Sequence, residues 1–223
     1  MKSELVLSFD LDDTLWPVEP VILAAEGAMI AWLKERHPQM MQGHDRESLR
    51  AMRARLAAQY PERSHDMTFL RHRALAQMFA KAGHDEGLAD EAFEVFFAAR
   101  NRVKLYDEVE AALERLSARY RLFALSNGNA DLQRCGIAHW FEGHITAISA
   151  GAAKPDARIF QRLLDEAGVA AAQVLHIGDD PQLDVVGATQ AGMQAAWLNR
   201  NANTWPAHLP SPTRIIKTLE EII

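Results

Sequence analysis

Cysteine is almost missing from this chain. Cys135 is the only one in 223 residues, which excludes an internal disulfide and any cysteine-rich metal centre and agrees with a reducing compartment. Long apolar runs are missing as well. None approaches the ~18 to 20 residues that span a bilayer, and the first, at residues 5–9, is short and halted by acids, unlike a secretory leader. Positive charge is in deficit, with 24 Lys and Arg against 30 Asp and Glu, for a formal net charge of −6. A nucleic-acid surface needs clustered Lys and Arg. Here Arg46, Arg50, Arg53, Arg55, Arg71 and Arg73 are interleaved with acids and read as solvated helix faces. The expectation is a soluble cytoplasmic protein with neither nucleic-acid nor membrane partner.

Several catalytic signatures are lacking too. There is no GxxxxGK phosphate loop, no GxGxxG dinucleotide fingerprint, no HExxH and no GxSxG elbow. Residues 10–15 lack the glycine and distal Glu of a calcium loop.

What is present falls into two patterns. Residues 5–9 form an apolar run that ends on Asp10, Asp12 and Asp13, as a strand buried on both faces of a parallel sheet does. Between Pro17 and Arg102 the apolar residues follow helical spacing in four stretches: Ile22 to Leu33, Leu49 to Tyr60, Met67 to Phe79, and Phe93 to Phe97. From Lys104 onward helices and strands alternate. A helix through Val109, Leu113 and Leu116 precedes a strand at 121–125. A short helix near Leu132, a strand at 145–148 and a helix at 156–167 capped by Asp156 and closed by Gly168 follow. A strand at 174–177, a helix at 184–191 and a strand at 195–198 complete the pattern. The predicted class is α/β: a Rossmann-like parallel sheet core, residues 1–16 and 103–223, with an inserted all-helical cap, residues 17–102.

Open parallel sheets bind ligands beyond the carboxyl ends of their strands. Four such ends bear polar groups here: Asp10 with Asp12, Ser126 with Asn127, Lys154 past the third, and Asp179 with Asp180 and Asp184. That many carboxylates at one edge repel one another and imply a cation. Hard oxygen donors without Cys or His select magnesium or manganese over zinc.

In this order, Asp10-Leu11-Asp12-Asp13-Thr14, Ser126-Asn127, Lys154, and Gly178-Asp179-Asp180 with Asp184 resemble the four motifs of the haloacid dehalogenase-like hydrolase superfamily. The cap position is similar to that of its first cap type. His65-Asp66-Met67-Thr68 with Arg71, Ser126-Asn127-Gly128-Asn129 and the segment 175–180 resemble bacterial flavin mononucleotide phosphatase-like members. The resemblance implies a magnesium-dependent phosphatase that cleaves a small-molecule phosphate ester through an aspartyl-phosphate. Asp10 would be the nucleophile and Asp12 the acid and then base. Ser126 and Lys154 would hold phosphoryl oxygens, with Asn127, Thr14 and Arg71 as further binding or bracing residues.

Mg2+ would be held by Asp10, the Asp12 carbonyl and Asp179, with Asp180 and Asp184 behind them. Implied substrates are flavin mononucleotide or the phosphorylated ribitylamino-pyrimidine precursor of riboflavin. Dehalogenase relatives of this cap type lack the acid corresponding to Asp12. A phosphomutase of the same superfamily and a non-catalytic regulatory binding module remain the alternatives, and the oligomeric state is not legible in the sequence.

Overall fold

The computed structural model describes residues 3–222; Met1, Lys2 and Ile223, which the sequence assigns to the core, lie outside the described residues. Six strands form one parallel sheet: β1 Val6–Phe9, β2 Arg121–Ser126, β3 Gly143–Thr146, β4 Val174–Gly178, β5 Gln194–Leu198 and β6 Arg214–Ile216. Their order across the sheet is β3-β2-β1-β4-β5-β6. The chain builds outward from β1 on one side, then restarts with β4 on the other. The carboxyl ends of β1 and β4 therefore flank a topological switch point, where α/β folds place their ligands. Both strands are buried along their length, as their apolar runs require.

The chain divides into two compact units. The core unit ends at Pro17, resumes over Lys104–Gly128, and continues from Cys135. Its helices are α5 Val109–Arg119, the one-turn α6 Ala147–Ala150, α7 Ala157–Ala167 and the short α8 Gly187–Gln190. The buried face of α7, with Ile159, Phe160 and Leu163, packs on Phe123, Leu125, Ile145 and Trp197 of the sheet. Asp156 caps α7 by accepting from Arg158 N, and Gly168 closes it at φ 66°.

The helical unit comprises Val18–Val103 and also Asn129–Arg134. Its helices, labelled in the same scheme by their position in the chain, are α1 Val18–Arg36, α2 Arg46–Gln59, α3 Met67–Lys81 and α4 Leu88–Arg100. They enclose Met29, Leu33, Leu75, Phe79 and Phe96. Residues 129–134 belong here by specific bonds: Asn129 Nδ2 donates to Thr68 Oγ1 (3.1 Å), Asp131 N donates to Asn101 Oδ1 (2.7 Å), and Arg134 pairs with Glu94.

Three local expectations are adjusted, and one strand is added. Near Leu132 the chain makes turns, not a helix, because the Asp131 carboxylate accepts from Gln133 N and Arg134 N. The strand expected at 145–148 ends at Thr146, whose capping box with Ser149 starts α6. The helix expected at 184–191 is present but starts earlier, as a π-helix over Pro181–Val186 that runs directly into α8. Strand β6 was not anticipated. Its three residues lie at the sheet edge and two are exposed, leaving little pattern to detect.

Candidate active site

The loop that follows β1 turns back on itself at once. Asp10 N donates to Ile177 O of β4 (2.9 Å), keeping Asp10 in the sheet's last rung. Leu15 N then donates to Leu11 O (2.7 Å) and Asp13 N to Trp16 O (2.8 Å), with Asp13 at φ 60°. Left-handed backbone is unusual for a side chain other than Gly, and Asp is among the residues that tolerate it. The turn carries Asp12 and Thr14 back beside Asp10. Thr14 Oγ1 lies 3.3 Å from Asp10 Oδ2 and 3.2 Å from Asp179 Oδ1, and the Asp12 carboxylate accepts from the buried Trp16 indole (2.9 Å).

Lys154 is the centre of the charge arrangement. Its Nζ, almost wholly buried, donates to Asp10 Oδ1 at 2.5 Å and to Asp184 Oδ1 at 2.6 Å. Asn127 holds Lys154 in place: its Oδ1 accepts from Lys154 N (2.6 Å) and its Nδ2 donates to Lys154 O (3.1 Å). Asp184 is reached because Gly178 leaves room for it. A Cβ on Gly178 would stand 2.2 Å from Asp184 Cγ. His176 also touches Asp184 Oδ1 (3.1 Å) and is held from behind by Ser8, its register partner on β1 (3.0 Å). Ser126 Oγ accepts from Gly128 N (2.9 Å), which leaves the hydroxyl proton for donation.

These groups line a cavity of about 200 Å³ in the core unit, bounded by Asp10, Asp12, Ser126, Lys154 and Asp179 among others. Burial pushes the Asp10 carboxyl well above the usual carboxylate range; Lys154 opposes the shift, and Asp184 and Asp179 reinforce it. Burial, then Asp184, then Asp13, raise Asp179 to about 7. Asp184 goes the other way. Burial would raise it, but Lys154 and His176 outweigh burial and keep it ionised. Burial alone would likewise depress Lys154, yet Asp10 and Asp184 hold it above its ordinary value. His176 is lowered by its burial despite Asp184.

One ammonium therefore faces more carboxylate than it can neutralise. Oxygens of Asp10, Asp179 and Asp184 lie within 4.8 Å of one another. Three hard donors so spaced, two of them pushed toward protonation, fit a small divalent cation with a preference for oxygen.

The strand ends bring together nearly every residue expected at the site, but the structure assigns some of them other contacts. Asp180 spends its carboxylate on Gln182 N and Leu183 N, capping the turn that delivers Asp184. The Asn127 amide bonds the Lys154 main chain at both ends, and the residue also lines the cavity. Arg71, expected to bind substrate, is 7 % exposed, pairs with Glu26 Oε1 (3.2 Å) and lies over the Phe96 ring, inside the helical unit. Arg53, expected on a solvated face, is buried against the same Glu26 (2.8 Å). Two contributors carried no motif signal: Trp16, bonded to Asp12, and Arg200, bonded to the Thr14 carbonyl.

An aspartate cluster around a buried lysine at the switch point of a parallel sheet defines an α/β protein with a ligand site at its strand ends. The haloacid dehalogenase-like hydrolase model matches residues 6–192, and the chain belongs to that family. It is 31 % identical over 211 residues to the 5-amino-6-(5-phospho-D-ribitylamino)uracil phosphatase YigB of Escherichia coli, covering 91 % of this chain and 88 % of that protein. A phosphoserine phosphatase of Thermus thermophilus is 39 % identical over 136 residues, covering 58 % and 55 % of the two chains. Among solved structures, a 2-haloacid dehalogenase from Pseudomonas syringae pv. Tomato superposes with a TM-score of 0.92 at 38 % identity, covering all of this chain and 96 % of that one.

Proposed function

We propose that this phosphoric monoester hydrolase works through an aspartyl-phosphate on Asp10, with Asp12 as acid and then base, and acts on a phosphorylated ribitylamino-pyrimidine or flavin mononucleotide. The observation that carries the reaction is the pair Asp10 and Asp12, two residues apart on a turn that places both at the cavity lined by Lys154. Full-length similarity to the ribitylamino-uracil phosphatase supports the substrate.

In the first step an Asp10 oxygen bonds to phosphorus while the ester P–O bond breaks, and Asp12 gives its proton to the departing oxygen. In the second, Asp12 takes a proton from a water whose oxygen bonds to phosphorus. The acyl-phosphate P–O bond then breaks, freeing phosphate and Asp10. Lys154 offers its charge at the nucleophile, and Ser126 has a hydroxyl proton for a non-bridging oxygen. Each such donor acts by matching charge that develops during transfer. Asp10, Asp179 and the Asp12 main-chain carbonyl would hold Mg2+, with Asp184 keeping Lys154 in register. When bound, the ion offsets repulsion between an anionic nucleophile and an anionic ester. The core cavity is lined by carboxylates, Ser126 and Lys154, groups that suit a phosphoryl group and its counter-ion.

Similarity to the Pseudomonas 2-haloacid dehalogenase favours a second reading, displacement of halide by Asp10. That reaction releases halide without protonation and has no use for Asp12. The deciding experiment measures phosphate release from p-nitrophenyl phosphate and flavin mononucleotide, and chloride release from 2-chloropropionate, each with and without magnesium. We expect magnesium-dependent phosphate release, lost in Asp10→Asn. Chloride release without phosphate release would establish the dehalogenase instead.

A further inference from the structure

We propose that Arg200, which lies outside every motif, is a positioning residue that clamps the 10–16 loop so that Asp12 meets the leaving oxygen; this rests on the phosphatase reading above. Arg200 follows the end of β5, where Asn199 N is anchored to Ile216 O (2.7 Å). Its guanidinium is used on three sides. Nε and Nη2 both donate to the Thr14 carbonyl (3.2 and 2.8 Å), Nη1 pairs with Glu108 Oε1 (2.6 Å), and the plane lies over the Tyr106 ring, with Cζ 4.1 Å from its centroid. Tyr106 reinforces the clamp, its own N–H donating to the Leu15 carbonyl (3.0 Å). Two successive carbonyls of the loop are thus held by neighbours.

The Thr14 peptide is where such a grip matters. Its side chain sits between Asp10 and Asp179, and the turn it belongs to carries Asp12, tied through Trp16. Asp13 at φ 60° marks a backbone that needs support. Lys154 and Ser126 come from other parts of the core unit, and Asp10 is anchored separately in the sheet by its N–H on Ile177 O (2.9 Å), so the nucleophile and the phosphate grip have holds other than this clamp. Loss of the clamp should therefore spare the phosphate grip and misplace the proton donor. A lysine at 200 would supply a point charge but not a planar fork that bonds a carbonyl, a carboxylate and a ring face together.

The test compares kcat/KM for p-nitrophenyl phosphate, whose leaving group departs with little protonation, with that for glycerol 2-phosphate, whose alkoxide needs it. Wild type, Arg200→Lys and Arg200→Ala are measured at saturating magnesium, with melting temperatures. We expect the alkyl ester to lose about ten- to a hundredfold, the scale of a misplaced catalytic group, and the aryl ester far less. Free guanidinium at millimolar concentration should restore part of the alkyl activity of Arg200→Ala without moving its melting temperature. Equal losses on both esters, or none, would overturn the proposal. Should Arg200→Ala fail to fold, Arg200→Lys makes the same discrimination. A wild-type enzyme that cleaves neither ester would instead remove the phosphatase reading itself.

Discussion

At Gly178 the absence of a side chain is what lets Asp184 bond Lys154, His176 and the Asp180 N–H together. The contact is side chain against strand backbone, with Asp184 almost fully buried, so neither partner has room to move. Gly178→Ala should cost about 1 to 3 kcal/mol, the usual range for overpacking, and reduce turnover by shifting Asp184 off Lys154. Urea denaturation and steady-state rates would check both.

Asp179 supplies the pH dependence. Its carboxyl is raised to about 7 in the folded chain and ionises near ~4 when unfolded. Below ~4 it is protonated in both states and contributes nothing. Between about 4 and 7 the unfolded chain loses this proton first, so the group destabilises the fold increasingly as pH rises, and above 7 its full penalty is present. A cation on the carboxylate removes that penalty. The rise in melting temperature on adding magnesium should accordingly be small near pH 5 and grow toward pH 8, with less growth in Asp179→Asn. A magnesium shift that is flat across this range would contradict the assignment.

Among the elements, α1, α2 and α3 of the helical unit share one buried acid. Glu26 receives Arg53 from α2 and Arg71 from α3, all three nearly inaccessible, with the more exposed Arg46 at its second oxygen. Burial, then Arg53, lower Arg71 to about 10, so its guanidinium remains charged near neutrality, and burial lowers Arg53 against the pull of Glu26. Glu26→Ala would leave two buried cations without their counter-ion and should cost about 3 to 5 kcal/mol, seen as a lower denaturation midpoint.

These helices were legible because their apolar residues recur at three and four, and α7 because Asp156 and Gly168 punctuate it. Their buried charges were not legible. Arg53 and Arg71 sit in segments rich in Arg and polar residues, and nothing in the spacing says which face turns inward or that Glu26 awaits them. The capped turn at Thr146 and the turn at Asp131 were missed for a related reason: side-chain caps decide short segments that periodicity cannot.

Across the whole molecule, Lys154 ties the two halves of the sheet. It leaves the β3 side of the chain and bonds Asp10 at the end of β1 and Asp184 beyond β4. Lys154→Met should abolish phosphate release. It should also destabilise the core by about 3 to 5 kcal/mol, since two buried carboxylates lose their cation; activity and thermal denaturation measured together would separate the two effects. At this scale the residues that line the cavity end or follow β1, β2 and β4 or, like Lys154, lie beyond β3, and they collect beside the reversal of strand order at β1 and β4.

Sequence alone determined the α/β class, the central buried strands and the set of motif residues, because runs, periodicities and acid clusters at strand ends are local records of burial and charge. Tertiary structure decided which partners those residues find. Asn127 turned to the Lys154 main chain, Asp180 became a cap, and Arg71 went inside. Arg200, with no motif at all, came to hold the Thr14 carbonyl 186 positions away. Partnerships of that span depend on sheet order and register, and no local pattern of residues encodes which distant group a hydrogen bond will find.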